Sequence, residues 1–240
     1  MISLRNEPDT PEAPPFFDQL PKLTDKIFSQ PGWLTEAMGM EHRPQQADMA
    51  SSVAQHLLDD SPLLFEAGTG VGKSLAYLLP GIMMSLETRR PFIVSSNTIS
   101  LQEQVLQKDI PLCAKFFANV PELEKYKEFE TALLVGKGNY LCPNRLAAAI
   151  RAKTELFPSE NLAELQRIAD WAKETQNGMR QELSPAPAPE IWTQVNADSS
   201  TCNRKNCNAS HCHYQQAKAR IHKANVLIIN HSLLFALLGA

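Results

Sequence analysis

The sequence predicts an α/β fold: a parallel sheet covered by helices on both faces, interrupted by a mainly helical insertion. Three observations predict it. Short apolar runs without polar alternation recur at Pro62–Ala67, Pro91–Ser95, Thr131–Val135 and Asn225–Asn230, as strands buried on both faces require. Helical stretches separate the earlier runs. Residues 136–224 then break the rhythm and carry a cluster of cysteines.

Each element follows from its local pattern. Residues 1–32 hold six prolines (Pro8, Pro11, Pro14, Pro15, Pro21 and Pro31) and little periodicity, which suggests a loosely ordered arm with a short helix near Phe16–Leu20. From Thr35 a helical pattern runs to about Leu58, broken near Pro44. Ala47, Ala50, Val53, Ala54 and Leu57 recur along it at the spacing of one buried face. The first strand, Pro62–Ala67, leads through the glycine-rich turn Gly68–Gly72 into a helix over Lys73–Glu87. The second strand leads into a helix over Thr98–Lys108. Within the insertion lie a charged helix (Glu160–Thr175) and the proline-rich elbow Ser184–Glu190. The fourth strand returns to the sheet and is followed by Ser232–Leu238. The domain reading is therefore 1–32 arm, 33–135 first part of the α/β domain, 136–224 insert, and 225–240 return strand and helix.

Composition narrows the class. The 240 residues are 43% hydrophobic and 20% charged, which excludes wholesale disorder and collagen-like fibres. A chain of this length builds a core without disulfides. No apolar stretch reaches bilayer length, and the N-terminal MISLRNEPDT has no basic-then-apolar signal. A cytoplasmic protein with no membrane contact is expected. Its five cysteines then read as thiols or metal ligands. A net charge of −3 gives no global attraction for polyanions, so any nucleic-acid contact must be local.

The strongest motif is Ala67-Gly68-Thr69-Gly70-Val71-Gly72-Lys73-Ser74. It fits the P-loop pattern, with alanine at the first position where glycine is commoner. Glycines let successive N–H groups point into a concavity for phosphate oxygens at the positive end of the next helix. Lys73 would bridge the outer phosphates and the Ser74 hydroxyl would ligate Mg²⁺. A flexible glycine turn is the competing reading, but the motif lies between a predicted strand and a predicted helix. Upstream, Arg43-Pro44-Gln45-Gln46 precedes a helix. The glutamine amide has the donor and acceptor that match adenine N7 and the exocyclic amine, although a solvated helix-start glutamine is the commoner case.

Four cysteines form a second constellation: Cys142, then Cys202, Cys207 and Cys212 with four residues between each. Zinc knuckles usually pair ligands two to four residues apart. The wider, equal spacing suits a [4Fe-4S] cluster held by four thiolates. Zinc remains an alternative because His211 and His213 flank Cys212, and unliganded thiols are a third. Cys113 reads as a packed core thiol. From Ser199 to Ala240 there is no Asp or Glu, while Arg204, Lys205, Lys218, Arg220 and Lys223 are present. This block is either a solvated face or a track for a phosphate backbone.

The motifs together resemble a known family. EAGTGVGKS, the upstream RPQQ, SNTISLQEQ at 96–104, GKGNYLC ending at Cys142, the cysteine trio and ANVLIINHSLL occur in that order. The chain from about residue 33 onward resembles the N-terminal part of a DinG-type helicase, in the XPD-like iron–sulfur branch of superfamily 2. The resemblance implies a first RecA-like P-loop domain, its parallel sheet incomplete, with an inserted iron–sulfur subdomain. It implies ATP-dependent 5′-to-3′ unwinding of single-stranded or forked DNA in repair or replication, with single-stranded-DNA-binding protein or repair factors as partners. Gln46, with Arg43, resembles the adenine-reading element. Gly68 to Ser74 resemble the ATP- and Mg²⁺-binding motif, with Lys73 and Ser74 in catalytic roles. Thr98, Leu101 and Gln102 match the motif beside the single strand, and Arg204 and Lys205 would extend that track. Cys142, Cys202, Cys207 and Cys212 match the cluster ligands. The family's Asp-Glu-Ala-His box would follow Leu238. The isolated 240 residues are expected to bind nucleotide weakly and hydrolyse almost none, the activity belonging to a longer protein. A non-catalytic module binding single-stranded DNA or a partner, and a zinc-containing P-loop NTPase, are the alternatives.

Overall fold

The computed structural model describes residues 16–152, 159–200, 202, 207 and 209–239. By internal packing the chain divides into two compact units. One comprises the residues up to Val94 with Glu103–Thr131; the other comprises Ser95–Gln102 with the residues from Ala132 onward.

The first unit is helical. Helices α1 (Leu20–Phe28), α2 (Trp33–Met38), α3 (Pro44–Leu58) and α4 (Lys73–Thr88) follow in order. Proline at the first helical position costs α3 nothing, because that N–H would have no partner anyway. Gln46, Ala50 and Ala54 recur every four residues on its buried face, and the small side chains let α4 lie close against it. α4 buries Leu75, Ala76, Leu78, Leu79, Ile82 and Met83. Apolar nearly all round, it is the central helix of the unit.

The arm differs from its compositional reading. The helix runs Leu20–Phe28 rather than near Phe16–Leu20, and it buries Leu20, Thr24, Ile27 and Phe28 on one face. α1 packs on α3 and α4. Pro21 sits in its first turn and Pro31 lies beyond its end, so these prolines delimit a helix instead of preventing one.

The predicted strand Pro62–Ala67 does not form. This segment carries no regular structure, and Leu64 is 99% exposed. An apolar run becomes a buried strand only when another strand pairs with it and cover lies on both faces. Among the described residues none does.

The remaining strands appear where expected: β1 (Phe92–Ser96), β2 (Thr131–Leu134) and β3 (Val226–Asn230). They form a parallel sheet in the order β1-β3-β2. After β1, the predicted helix begins as α5 (Ile99–Gln104), opens into a π-turn over Val105–Asp109, and continues as α6 (Ile110–Asn119). Pro111 supplies the reason. It lacks the N–H that would bond the Gln107 carbonyl, which loosens the ladder at that turn.

In the second unit β3 is buried from Val226 to Ile229. Two apolar clusters flank one another in sequence. Ala132, Leu134, Tyr140, Cys142, Ala217 and Ile229 belong to the first. Leu141, Leu146, Leu165, Ile168, Trp192 and Val195 build the second, from α7 (Pro143–Arg151), α8 (Ser159–Trp171) and α9 (Pro189–Val195). Arg145 ties α7 to the end of α9, donating to the Asn196 carbonyl and side chain and to the Thr193 carbonyl at 2.6–2.7 Å. Helices α10 (His213–Ile221) and α11 (His231–Leu238) flank β3 in sequence.

One close approach in the first unit has a measurable consequence. A Cβ on Gly81 of α4 would stand 2.4 Å from the Phe92 ring. Gly81→Ala therefore forces the helix off β1 and should lower unfolding stability by about 1–3 kcal/mol, read as a drop in urea midpoint without a change in slope.

Candidate functional site

The glycine turn of the first unit is shaped for an anion. Gly70 (φ +80°) and Gly72 (φ +86°) occupy left-handed backbone, which residues with a Cβ adopt only under strain. Gly72 is the N-cap of α4, and no side chain caps that helix start. The first N–H groups of a 16-residue helix are thus left for another acceptor.

Three side chains brace the turn. Lys73 Nζ donates to the carbonyls of Ala67 (3.0 Å) and Gly68 (2.7 Å). Arg43 donates from its guanidinium to the Gly70 carbonyl. Gln46 Nε2 donates to the Gly72 carbonyl at 2.7 Å. The structure thus brings Arg43, Gln46 and Lys73 together on one loop, although Arg43 and Gln46 lie more than twenty residues upstream of the glycines they hold. Burial pushes the Tyr77 phenol above its ordinary value, partly offset by Ser74 and reinforced by the Asp109 carboxylate.

Beside the loop lies a cleft of about 550 Å³, within the range of small-ligand pockets. Its walls include Arg43, Gln46, Gly70, Gly72, Lys73 and Ser74, and on the other side Gln104, Lys108 and Asp109. Sequence reasoning missed these last three. They come from the π-turn and its approach, and the one signal for that turn was Pro111 after a polar helical stretch. A cradle of N–H groups, an ammonium and a hydroxyl around a nucleotide-sized cleft fits a cation-bound polyphosphate.

The segment after β1 is organised by short bonds. Thr98 Oγ1 accepts from the Leu101 N–H at 3.3 Å, and Ser96 Oγ donates to the Thr98 carbonyl. Leu101 is 48% exposed. Gln102 is fully buried, and among the described residues neither its amide nitrogen nor its oxygen has a partner. Ser95 and His231 share a 2.7 Å hydrogen bond where β1 ends and α11 begins. Asn230 Oδ1 caps α11 by accepting from the Leu233 N–H.

The second unit gathers the cysteines. Cys142 is buried at the start of α7, and its N–H donates to the Val195 carbonyl. Cys212 stands at the start of α10. Burial pushes the Cys202 thiol up; a hydrogen bond with the Asp198 backbone and the Lys137 ammonium oppose this, while Cys142 and Cys207 add to it. Burial likewise raises the Tyr214 phenol, with Cys202 and Cys212 adding to it. Electrostatic range is longer than a ligand bond, however: among the described residues no group of three or more His, Cys, Asp or Glu stands close enough to hold a metal ion. The thiol-only donor set suits an iron–sulfur cluster better than a hard cation. His213 is turned toward Gly178, whose Cβ would meet its ring at 2.3 Å. Lys137 and Lys218 lie over the Tyr214 ring at 5.3 and 6.0 Å. Arg204 and Lys205 lie outside the described residues.

No protein-family model matches the chain. Individual relatives do. The chain is 34% identical over 213 residues to "ATP-dependent helicase DinG" of Mycobacterium tuberculosis, covering 82% of this chain and 31% of that protein. By sequence the chain is a homologue of the DinG-type helicases. It is also 32% identical over 213 residues to "ATP-dependent DNA helicase YoaA" of Haemophilus influenzae, with 88% and 31% covered. Against "ATP-dependent DNA helicase DinG" of Salmonella choleraesuis it is 32% identical over 212 residues, with 81% and 28% covered. The chain therefore spans about a third of the length of these DinG-type relatives. Among the described residues no helix is long and apolar enough to cross a membrane.

Gly72 offers the sharpest test of the loop geometry. A Cβ there meets left-handed backbone and stands 2.3 Å from Gln46 Nε2. Gly72→Ala should displace Gln46, weaken binding of a fluorescent ADP analogue by at least about tenfold, and cost about 1–3 kcal/mol of stability.

Proposed function

We propose that this chain is the ATP-binding, [4Fe-4S]-bearing N-terminal portion of an ATP-dependent 5′-to-3′ DNA helicase acting in repair or replication. The glycine turn carries the proposal: left-handed Gly70 and Gly72 open an uncapped helix start to phosphate, in a chain homologous to proteins named ATP-dependent helicases. Residues 33–135 and 225–240 would form the RecA-like part, 136–224 the iron–sulfur insert, and 1–32 a leading arm.

In this reading the N–H groups of Gly68 to Ser74 bind phosphate oxygens. Lys73 would exchange its carbonyl partners for the outer phosphates. Its present bonds to Ala67 and Gly68 keep the ammonium at the loop's edge until a stronger, charged acceptor arrives. Ser74 would hold Mg²⁺ through its hydroxyl, and the cation would neutralise phosphate charge. Arg43 and Gln46 hold the loop's shape through the Gly70 and Gly72 carbonyls, and Gln46 lies at the cleft wall where an adenine would be read.

Cys142, Cys202, Cys207 and Cys212 would hold the cluster, whose bound thiolates fix the insert's fold as a structural metal does. Thr98, Leu101 and Gln102 would lie along single-stranded DNA with Arg204 and Lys205. The exposed Leu101 side chain offers an apolar surface to a base, and Thr98 holds the turn that presents it.

Lys73→Ala should weaken binding of an ATP analogue by at least about tenfold, and the lost loop bonds should lower the melting temperature of the free chain by no more than about 2–4 °C. Unchanged affinity would remove the P-loop assignment. Anaerobically purified protein should carry about four irons and about four acid-labile sulfides per chain. Zinc in their place would leave a P-loop protein with a structural zinc site.

A further inference from the structure

The far wall of the cleft carries an uncommitted cation. Gln104, Lys108 and Leu112 line it at intervals of four residues, and the turn over Val105–Asp109 that joins them is a π-turn. Four residues overshoot a full α-turn and fall short of a π-turn, so the one wide turn cancels the drift and the three stay on one face. The cationic side chains that line the cleft are Arg43, Lys73 and Lys108. Arg43 and Lys73 are occupied with carbonyls of the glycine turn. Lys108 is exposed, and among the described residues its ammonium has neither a hydrogen bond nor an ion pair. Elsewhere in the same unit Lys125 and Lys127 close on Glu87 and Glu124. The acids of the cleft, Glu41 and Asp109, do not hold Lys108 in that way, and Asp109 is only 7% exposed.

Resting on the nucleotide-binding reading above, we propose that Lys108 binds the terminal phosphate of a nucleoside triphosphate, reaching it from the wall that faces the glycine turn. The N–H groups of the turn and the Lys73 ammonium lie together on one wall, so they take the phosphates that sit in the turn itself. The end of a triphosphate chain stands out from that wall into the cleft. It carries the highest charge of the chain and has oxygens left over. An ammonium on a flexible four-carbon stem is a mobile point charge with three donors, and a phosphate oxygen is the charged acceptor it bonds most strongly. A diphosphate ends at the turn and leaves Lys108 in water. Lys108 therefore sets the preference of this unit for a triphosphate over a diphosphate.

The test titrates methylanthraniloyl-ADP and methylanthraniloyl-AMP-PNP, both with MgCl₂, into the wild-type chain, Lys108→Met and Lys108→Arg. Met keeps the apolar stem without the charge, and Arg keeps the charge. Lys108→Met should lose roughly three- to tenfold in affinity for the AMP-PNP probe while its affinity for the ADP probe stays within about twofold of wild type. Lys108→Arg should recover most of the loss. Both variants should melt within about 2 °C of wild type, because the side chain is exposed and unpaired. Tripolyphosphate and pyrophosphate, which have no base, separate the phosphate chain from the rest of the nucleotide. Tripolyphosphate should displace the ADP probe from wild type at a lower concentration than pyrophosphate does, and Lys108→Met should erase that advantage. Equal losses for the two probes, an AMP-PNP affinity that does not fall, or a tripolyphosphate advantage that survives in Lys108→Met overturns the proposal and leaves the phosphate cradle standing. A wild-type chain that binds neither probe overturns the cradle reading itself, and this inference with it.

Discussion

The hydrogen bond from Gln46 to the Gly72 carbonyl is the constraint on which the first unit's site depends. It joins the buried face of α3 to the N-cap of α4, and it is possible only because residue 72 has no Cβ. Everything downstream inherits that join. α4 starts at Lys73 with its first N–H groups uncapped, Ser74 falls one residue into the helix, and Tyr77 comes round to the same face one turn later. The packing of α3 on α4 through Ala50 and Ala54 then fixes the axis of the helix whose end forms the cradle. A loop that would otherwise sample many conformations is held by two side-chain amide and guanidinium donors on its carbonyls, leaving its N–H groups outward.

Much of this was legible in the sequence because glycine and proline are unambiguous about backbone. The left-handed positions could be read from Gly70 and Gly72, the start of α3 from Pro44, and three of the four strands from their unbroken apolar runs. Pro62–Ala67 was not legible as it stands, because an apolar run reports what a strand would bury and says nothing of whether a neighbour exists to pair with it. The helix of α1 was obscured for the opposite reason. Proline density across residues 1–32 pointed to disorder, yet Pro21 and Pro31 merely bound a stretch whose Leu20, Thr24, Ile27 and Phe28 share a face.

The site's far wall shows a further limit. Gln104, Lys108 and Asp109 reach the cleft through a π-turn, and a single extra residue per turn leaves no mark on hydrophobic periodicity over so short a span. The cysteines are an intermediate case. Their spacing suggested one constellation, yet among the described residues no group of three or more His, Cys, Asp or Glu stands close enough to hold a metal ion. Spacing cannot set the sulfur-to-sulfur distances, which depend on how the chain between the ligands folds.

The segment bearing Leu63 and Leu64 has a consequence for handling the isolated chain. It is apolar, uncharged from Ser61 to Phe65 and free of the ladder bonds that would occupy its backbone. Any other strand edge in solution can supply those bonds, including the same segment of a second copy. Colloidal behaviour is therefore governed by a handful of residues just ahead of the glycine turn, far more than by net charge. Concentrated samples will self-associate through them.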